Sequence, residues 1–218
     1  RGCGLRQRLR AEEALKTAAS RPVDILHIRL ELAVKLKERT VAGSATIDFA
    51  AIQPTQVLSL NAVGHEVSGI RVLGAGAESK PLSFENSGKT IDIDFGQTLA
   101  RGEKRQIRIE YQVRNPEAGL YFFQPTKAET DVPLTVWSQG EPVSNSHWFP
   151  CLDNPNERHT TELLATVDDG FEVILNGKLE SKLQFNNGSW MAPITQVRLL
   201  LPNLLTLFWV PISHKNQY

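Results

Sequence analysis

With 218 residues the chain is long enough for one large β domain or two small ones, and roughly 70% of the unfolded surface can be buried at that length. Lys+Arg and Asp+Glu both count 24, so the net charge is zero and no basic field invites nucleic acid. A hydrophobic content of 41% excludes disorder as the default.

Residues 5–19 (LRQRLRAEEALKTAA) are good helix formers carrying Leu5, Leu9 and Leu15. They predict a short helix ended by Ser20 and Arg21-Pro22, and residues 1–21 read as a helical extension. From Pro22 the texture changes. Ile28, Leu30, Leu32, Val34 and Leu36 alternate with polar residues, as do Val41, Gly43, Ala45, Ile47 and Phe49. The polar Lys37-Glu38-Arg39 between the two runs predicts a hairpin. QVLSLNAV, GIRVLGA, KTIDIDF and KRQIRIEYQV repeat the period between Gly, Pro, Asn and Ser clusters. No glycine-rich phosphate loop follows a strand. The expected fold is all-β, an antiparallel sandwich or a large curved saddle-like sheet.

Residues 115–160 differ in kind. Pro116, Pro125, Pro133, Pro142, Pro150 and Pro155 stiffen a stretch anchored by Tyr121, Phe122, Phe123, Trp137, Trp148 and Phe149. Sites are commonly built on such irregular, anchored backbone. Strands resume with TELLATVDD and FEVILNG, closing on Asn176-Gly177. The β domain is therefore drawn over residues 22–182. Residues 183–218 are set apart as a divergent apolar tail, the truncated end of the same domain or the product of an altered reading frame. VRLLLPNLLTLFWVPI in that tail is cut by Pro202 and Pro211 and is shorter than the ~20 residues needed to cross a bilayer. One or two buried strands are expected there, and no membrane partner.

Cys3 and Cys151 form neither a disulfide framework nor a zinc-ligand cluster. The chain begins with Arg1, and no apolar run follows its basic start, so no signal peptide is read and a cytoplasmic location is expected.

Three segments in order carry a family resemblance. VDILHIRLELAVKLKERTVAGSATIDF resembles the opening hairpin of the N-terminal domain of the aminopeptidase N family of zinc metallopeptidases. Gly119-Leu120-Tyr121-Phe122 is similar to that family's glycine-led aromatic turn. WSQGEPVSNSHWFPCLDNPNERHTTELLATVDDGFEVILNGKL, residues 137–179, resembles its Gln-x-Glu followed by an aromatic-Pro-Cys-x-Asp-x-Pro run. The likeness spans roughly residues 22–180.

On that resemblance Gln139 and Glu141 fall on the substrate-recognition pair, with Glu141 binding the free α-amino group of a peptide and Gln139 beside it. The chemistry is coherent. A chain end differs from a chain interior by one positive charge, and a fixed carboxylate can meet it with a charge-assisted hydrogen bond of ~1.5–3 kcal/mol. On an extended segment, residues two apart face the same way. Taken alone, a Gln-x-Glu pair is ordinary solvated surface; its flanks give it meaning. Trp148, Phe149, Pro150, Cys151, Asp153 and Pro155 read as a packed structural turn, with Cys151 a small buried hydrophobe and Asp153 accepting backbone N–H groups.

Catalysis in the family needs a His-Glu-x-x-His helix and a further glutamate. His65-Glu66-Val67-Ser68-Gly69 lacks the second histidine and reads as a loop between strands. The family's Gly-x-Met-Glu-Asn strand and its oxyanion-stabilising tyrosine are missing as well. The resemblance therefore implies no catalytic or metal residues and no cofactor in this chain, with zinc expected only in an absent catalytic domain. The implied partners are a peptide N-terminus and that catalytic domain. The chain alone is expected to be inactive in aminopeptidase terms. Two alternatives stand beside this: a catalytically inactive, aminopeptidase-like interaction or scaffold module, and, more distantly, a carbohydrate- or ligand-binding sandwich.

Overall fold

A computed structural model of the protein describes residues 21–74, 79–167, 171–175, 178–179, 183–184, 190–200 and 207–211. β1 (Val23–Lys35) and β2 (Thr40–Ala51) form the expected hairpin, from Val23↔Ala51 to Lys35↔Thr40. Alternation places Ile28, Leu30, Leu32 and Val34 inside. Ile25 is buried too, although it lies three residues before Ile28. A register shift between Ile25 and His27 resolves this, because the extra residue of the bulge returns both isoleucines to the core face.

The following strands are β3 (Thr55–Asn61), β4 (His65–Leu73), β5 (Ser79–Pro81), β6 (Ser83–Asn86), β7 (Thr90–Leu99), β8 (Lys104–Arg114), β9 (Leu120–Phe123) and β10 (Thr135–Ser138). A 3-10 turn over Asn145–His147 precedes β11 (His159–Val167), β12 (Phe171–Leu175), β13 (Lys178–Leu179), β14 (Leu183–Gln184), β15 (Trp190–Leu200) and β16 (Leu207–Pro211). They form three sheets. The largest runs β13-β15-β11-β1-β2-β8-β4-β5, with β14 on β15; the others are β12-β16-β10-β9 and β3-β7-β6.

The all-β expectation holds, with two corrections of detail. The largest sheet is mixed, because β1 and β11 pair in parallel from His27↔Thr160 to Ala33↔Thr166. All of β2 to β10 lies between them, ample chain to return in either direction, so local turns do not dictate antiparallel pairing. The His65–Gly69 segment is the start of β4 and not a loop, with His65↔Val113 and Glu66↔Gln112 on β8. A bulge between Val67 and Gly69 breaks the alternation that would have marked it as strand.

One core joins the sheets. It contains Ile47 and Phe49 of β2, Leu58 and Leu60 of β3, Ile91 and Ile93 of β7, Ile107 and Ile109 of β8, and Val136 of β10. Phe49 and Phe95 meet across two sheets with ring centroids 5.7 Å apart. The opposite face of the largest sheet is polar and ion-paired: Glu31 with Arg29 and Arg108, Arg71 with Glu110, and Arg114 with Glu66.

Residues 190–200 and 207–211, from the segment read as an apolar tail, supply β15 beside β11 and β16 between β10 and β12. The helix expected over 5–19 and the Asn176-Gly177 turn lie outside the described residues. Among the described residues no helix is long and apolar enough to cross a membrane.

Candidate functional site

The candidate loop grows from the end of a short ladder. β9 and β10 pair from Thr135↔Phe123 to Ser138↔Leu120, and their aromatic residues hold the register: Tyr121 stacks on Trp137 at 5.1 Å. One step further the Gln139 N–H donates to Gly119 O at 2.9 Å. Gly119 sits at φ 75, and a β-carbon there would lie 2.0 Å from Ser144 O and 3.0 Å from Trp148 Cδ1. Both the left-handed backbone and the close approach demand glycine.

The extended segment stops at Gly140. Glu141 opens a turn closed by the Ser144 N–H donating to Gly140 O at 2.9 Å, and its peptide bond to Pro142 is cis. The expectation that extended spacing carries the pair through position 141 is thus replaced by strand end plus turn. Gln139 and Glu141 are both exposed, whereas Gly140 between them is buried. Among the described residues no ion pair or hydrogen bond occupies the Glu141 carboxylate.

Behind this rim the backbone is anchored many times over. The Trp148 and Phe149 N–H groups both donate to Asn145 O, at 3.0 and 3.1 Å. Trp148 Nε1–H donates to Asn145 Oδ1 at 3.2 Å. Asp153 Oδ2 accepts the Ser146 N–H at 2.9 Å, the role expected of it, and the Asp153 N–H donates to Asn61 Oδ1. Asn61 and Cys151 exchange both backbone bonds, at 2.8 and 3.1 Å, and the Val63 N–H reaches Ser146 O at 2.8 Å. Tyr111 Oη–H donates to Trp148 O at 3.2 Å. Trp148 and Phe149 are buried edge to face with centroids 4.6 Å apart. The loop's exit is tied by buried Glu157, which pairs with Arg21 at 2.6 Å and accepts the Ile25 N–H.

Cys151 is fully buried. Burial, then the nearby Asp153 and Glu157 charges, push its thiol well above the ordinary range, so it stays a protonated hydrophobe, as read from sequence. Burial likewise holds His65 and His159 neutral, with pKa values lowered to about 4.

His65-Glu66 is the fragment of the resembled family's zinc motif that this sequence carries. His65 is buried, its Nδ1 faces Val63 O at 3.2 Å and its ring lies 5.0 Å from Tyr111, while Glu66 is paired with Arg114. That donor set does not fit zinc. No cluster of three or more His, Cys, Asp or Glu able to hold a metal occurs among the described residues.

Sequence reasoning missed Asn145, whose side chain supports Gly140 from behind: a β-carbon on Gly140 would sit 2.7 Å from Asn145 Oδ1 and 2.8 Å from Nδ2. The available signal was a small residue between the two candidate side chains and an asparagine three residues before a tryptophan.

Known proteins share this fold. Residues 25–193 match the model of the Peptidase M1 N-terminal domain. The chain is 23% identical to human Aminopeptidase B over 200 residues, covering 81% of this chain and 31% of that protein. It is also 31% identical to Transcription initiation factor TFIID subunit 2 of Drosophila melanogaster over 85 residues, 37% of this chain and 7% of that protein. Among solved structures, an M1 zinc metallopeptidase from Deinococcus radiodurans superposes with TM-score 0.74 at 22% identity, covering 88% of this chain and 42% of that one. A mutant of the Deinococcus enzyme bound to a Tyr-Ser-Ala substrate gives the same score and identity. The chain spans about a third of the length of Aminopeptidase B.

Proposed function

Because the chain belongs to the Peptidase M1 N-terminal domain family, we propose that it is a non-catalytic substrate-recognition domain, one that presents Glu141 to the free amino terminus of a peptide. The observation that carries this reading is an exposed carboxylate on a segment whose backbone is fixed from both sides, by Gly119 O and by the turn to Ser144. A charge carried on a fixed backbone loses less entropy on meeting an ammonium than one on a free loop, whose backbone must first be ordered. Gln139, exposed beside it, supplies a neutral amide that can donate or accept without competing for the charge. In this reading the bond-breaking chemistry, and the zinc that serves it, belong to a separate catalytic domain.

The test is a titration of the full chain with L-alanyl-L-alaninamide and with its N-acetylated form. A charge-assisted hydrogen bond of ~1.5–3 kcal/mol corresponds to a preference of about tenfold or more for the free amine. Glu141→Gln is expected to abolish that preference. Equal affinity of the unmutated chain for both ligands would overturn the reading.

A second reading, an interaction module without peptide recognition, is favoured by the match to a TFIID subunit. It predicts no preference for the free amine and no effect of Glu141→Gln on that measurement.

A further inference from the structure

We propose that Asn145 is a positioning residue whose buried amide holds Gly140, and through it the exposed pair Gln139 and Glu141, in a single presented geometry. This deepens the recognition reading above and rests on it for its functional meaning.

Asn145 is fully buried, yet it starts a surface turn. Its backbone carbonyl collects the N–H groups of Trp148 and Phe149, which locks the residue to the two large rings beneath it. Its side-chain oxygen takes the indole Nε1–H of Trp148, which fixes how the amide plane is turned. That plane lies against the Gly140 α-carbon so closely that a β-carbon there would come within 2.9 Å of Oδ1, Nδ2 and Cγ alike. Gly140 is also held by its carbonyl, which accepts the Ser144 N–H, and by its neighbour Gln139, whose N–H reaches Gly119 O. The glycine between the two candidate side chains is thus clamped on its α-carbon, its carbonyl and its preceding amide. A side chain as short as asparagine's has few rotamers to lose, so the clamp costs little entropy. The functional consequence is that the backbone carrying Glu141 is held in place before ligand arrives.

The test is a double-mutant cycle on the full chain, using Gly140→Ala, Asn145→Ser and the pair together. Two readouts are taken: amide hydrogen exchange at Gln139 and Ser144, and the affinity ratio for L-alanyl-L-alaninamide over its N-acetylated form. Gly140→Ala drives a methyl into the asparagine amide and is expected to speed exchange at both amides by about tenfold and to cut the free-amine preference to under about threefold. Asn145→Ser alone removes the amide that holds Gly140 and is expected to give losses of the same order in both readouts, and the pair is expected to behave no worse than Asn145→Ser alone, because the added methyl then meets no amide. Purely additive effects, or unchanged exchange and amine preference in Asn145→Ser alone, would overturn the proposal. Should Gly140→Ala fail to fold, Trp148→Phe keeps an aromatic ring there and deletes the indole N–H that orients Asn145, together with part of the buried ring volume. It is expected to raise Ser144 exchange by about threefold, and unchanged exchange would sink the idea. Exchange needs no ligand, so faster exchange in Asn145→Ser that is non-additive with Gly140→Ala, with no amine preference in the unmutated chain, would reject the recognition reading while leaving the clamp established.

Discussion

Carboxylates on the outer face of the largest sheet and the carboxylate at the tip of the candidate loop live under opposite rules. On the sheet, Glu31 lies between Arg29 and Arg108, Glu110 meets Arg71, and Glu66 meets Arg114, so charge is cancelled in place by cross-strand and same-strand neighbours. The Glu31 carboxyl is held below the usual range, first by its hydrogen bond from Arg108. On the loop, Glu141 is exposed and meets no cation among the described residues, while the backbone beneath it is tied to Gly119, Ser144 and the buried Asn145. The sheet spends its charges on itself; the loop is built rigidly and leaves its charge available. Exposure alone would not single out Glu141, since Glu38 and Glu85 are exposed as well. What separates it is the anchored backbone.

The contrast can be broken most forcefully from below. Trp148→Ala removes the largest fully buried side chain among the described residues and the donor that turns Asn145, and it is expected to cost about 3–5 kcal/mol by urea denaturation. A loss under 1 kcal/mol would show that the loop is not anchored there.

Acid comes next. For His65 and His159 the folded pKa, about 4, lies below the ordinary 6.5, so the unfolded chain binds more protons between those values. Their contribution is whole above pH 6.5 and is lost as the pH falls toward 4, at up to about 1.4 kcal/mol per pH unit for each histidine. Replacing both with glutamine should flatten stability against pH across that window. The carboxylates with lowered pKa, Glu31 among them, act below it and would keep their slope.

Gly119→Ala forces a left-handed alanine into Ser144 O, with roughly 1–2 kcal/mol from the backbone alone and more from the overlap. Its stability loss should be accompanied by faster exchange at the Gln139 amide. Asp153→Ala, measured the same way, should cost about 1–3 kcal/mol through the orphaned Ser146 N–H.

The partly solvated charges contribute least to stability. Glu31→Gln is expected to cost less than about 1 kcal/mol, and less still in high salt, because its pairs are partly solvated. Glu141→Gln should change stability by no more than about 0.5 kcal/mol, while removing discrimination between free and acetylated peptide ends. A large stability loss at position 141 would mean that the carboxylate serves the fold.

Most strands could be read from the residues, because period-2 burial is a local property: β8 follows its hydrophobic alternation almost residue by residue, β1 does so beyond its bulge, and β2 and β7 over part of their length. The ordered Gln-x-Glu and Trp-Phe-Pro-Cys segments marked where to look, and the buried, protonated state of Cys151 and the acceptor role of Asp153 followed from their chemistry. Three things did not follow. The bulge in β4 hid a strand, since one extra residue scrambles the period that announces it. The parallel meeting of β1 and β11 joins segments with all of β2 to β10 between them, and no local pattern encodes so distant a pairing. The hold of Asn145 on Gly140 depends on sub-ångström packing of a side chain against a backbone atom, which residue identity permits but only the assembled core brings about. Alternation and composition determined that this is a β domain with one irregular, anchored loop; long-range pairing and close packing decided which face of that loop is held still.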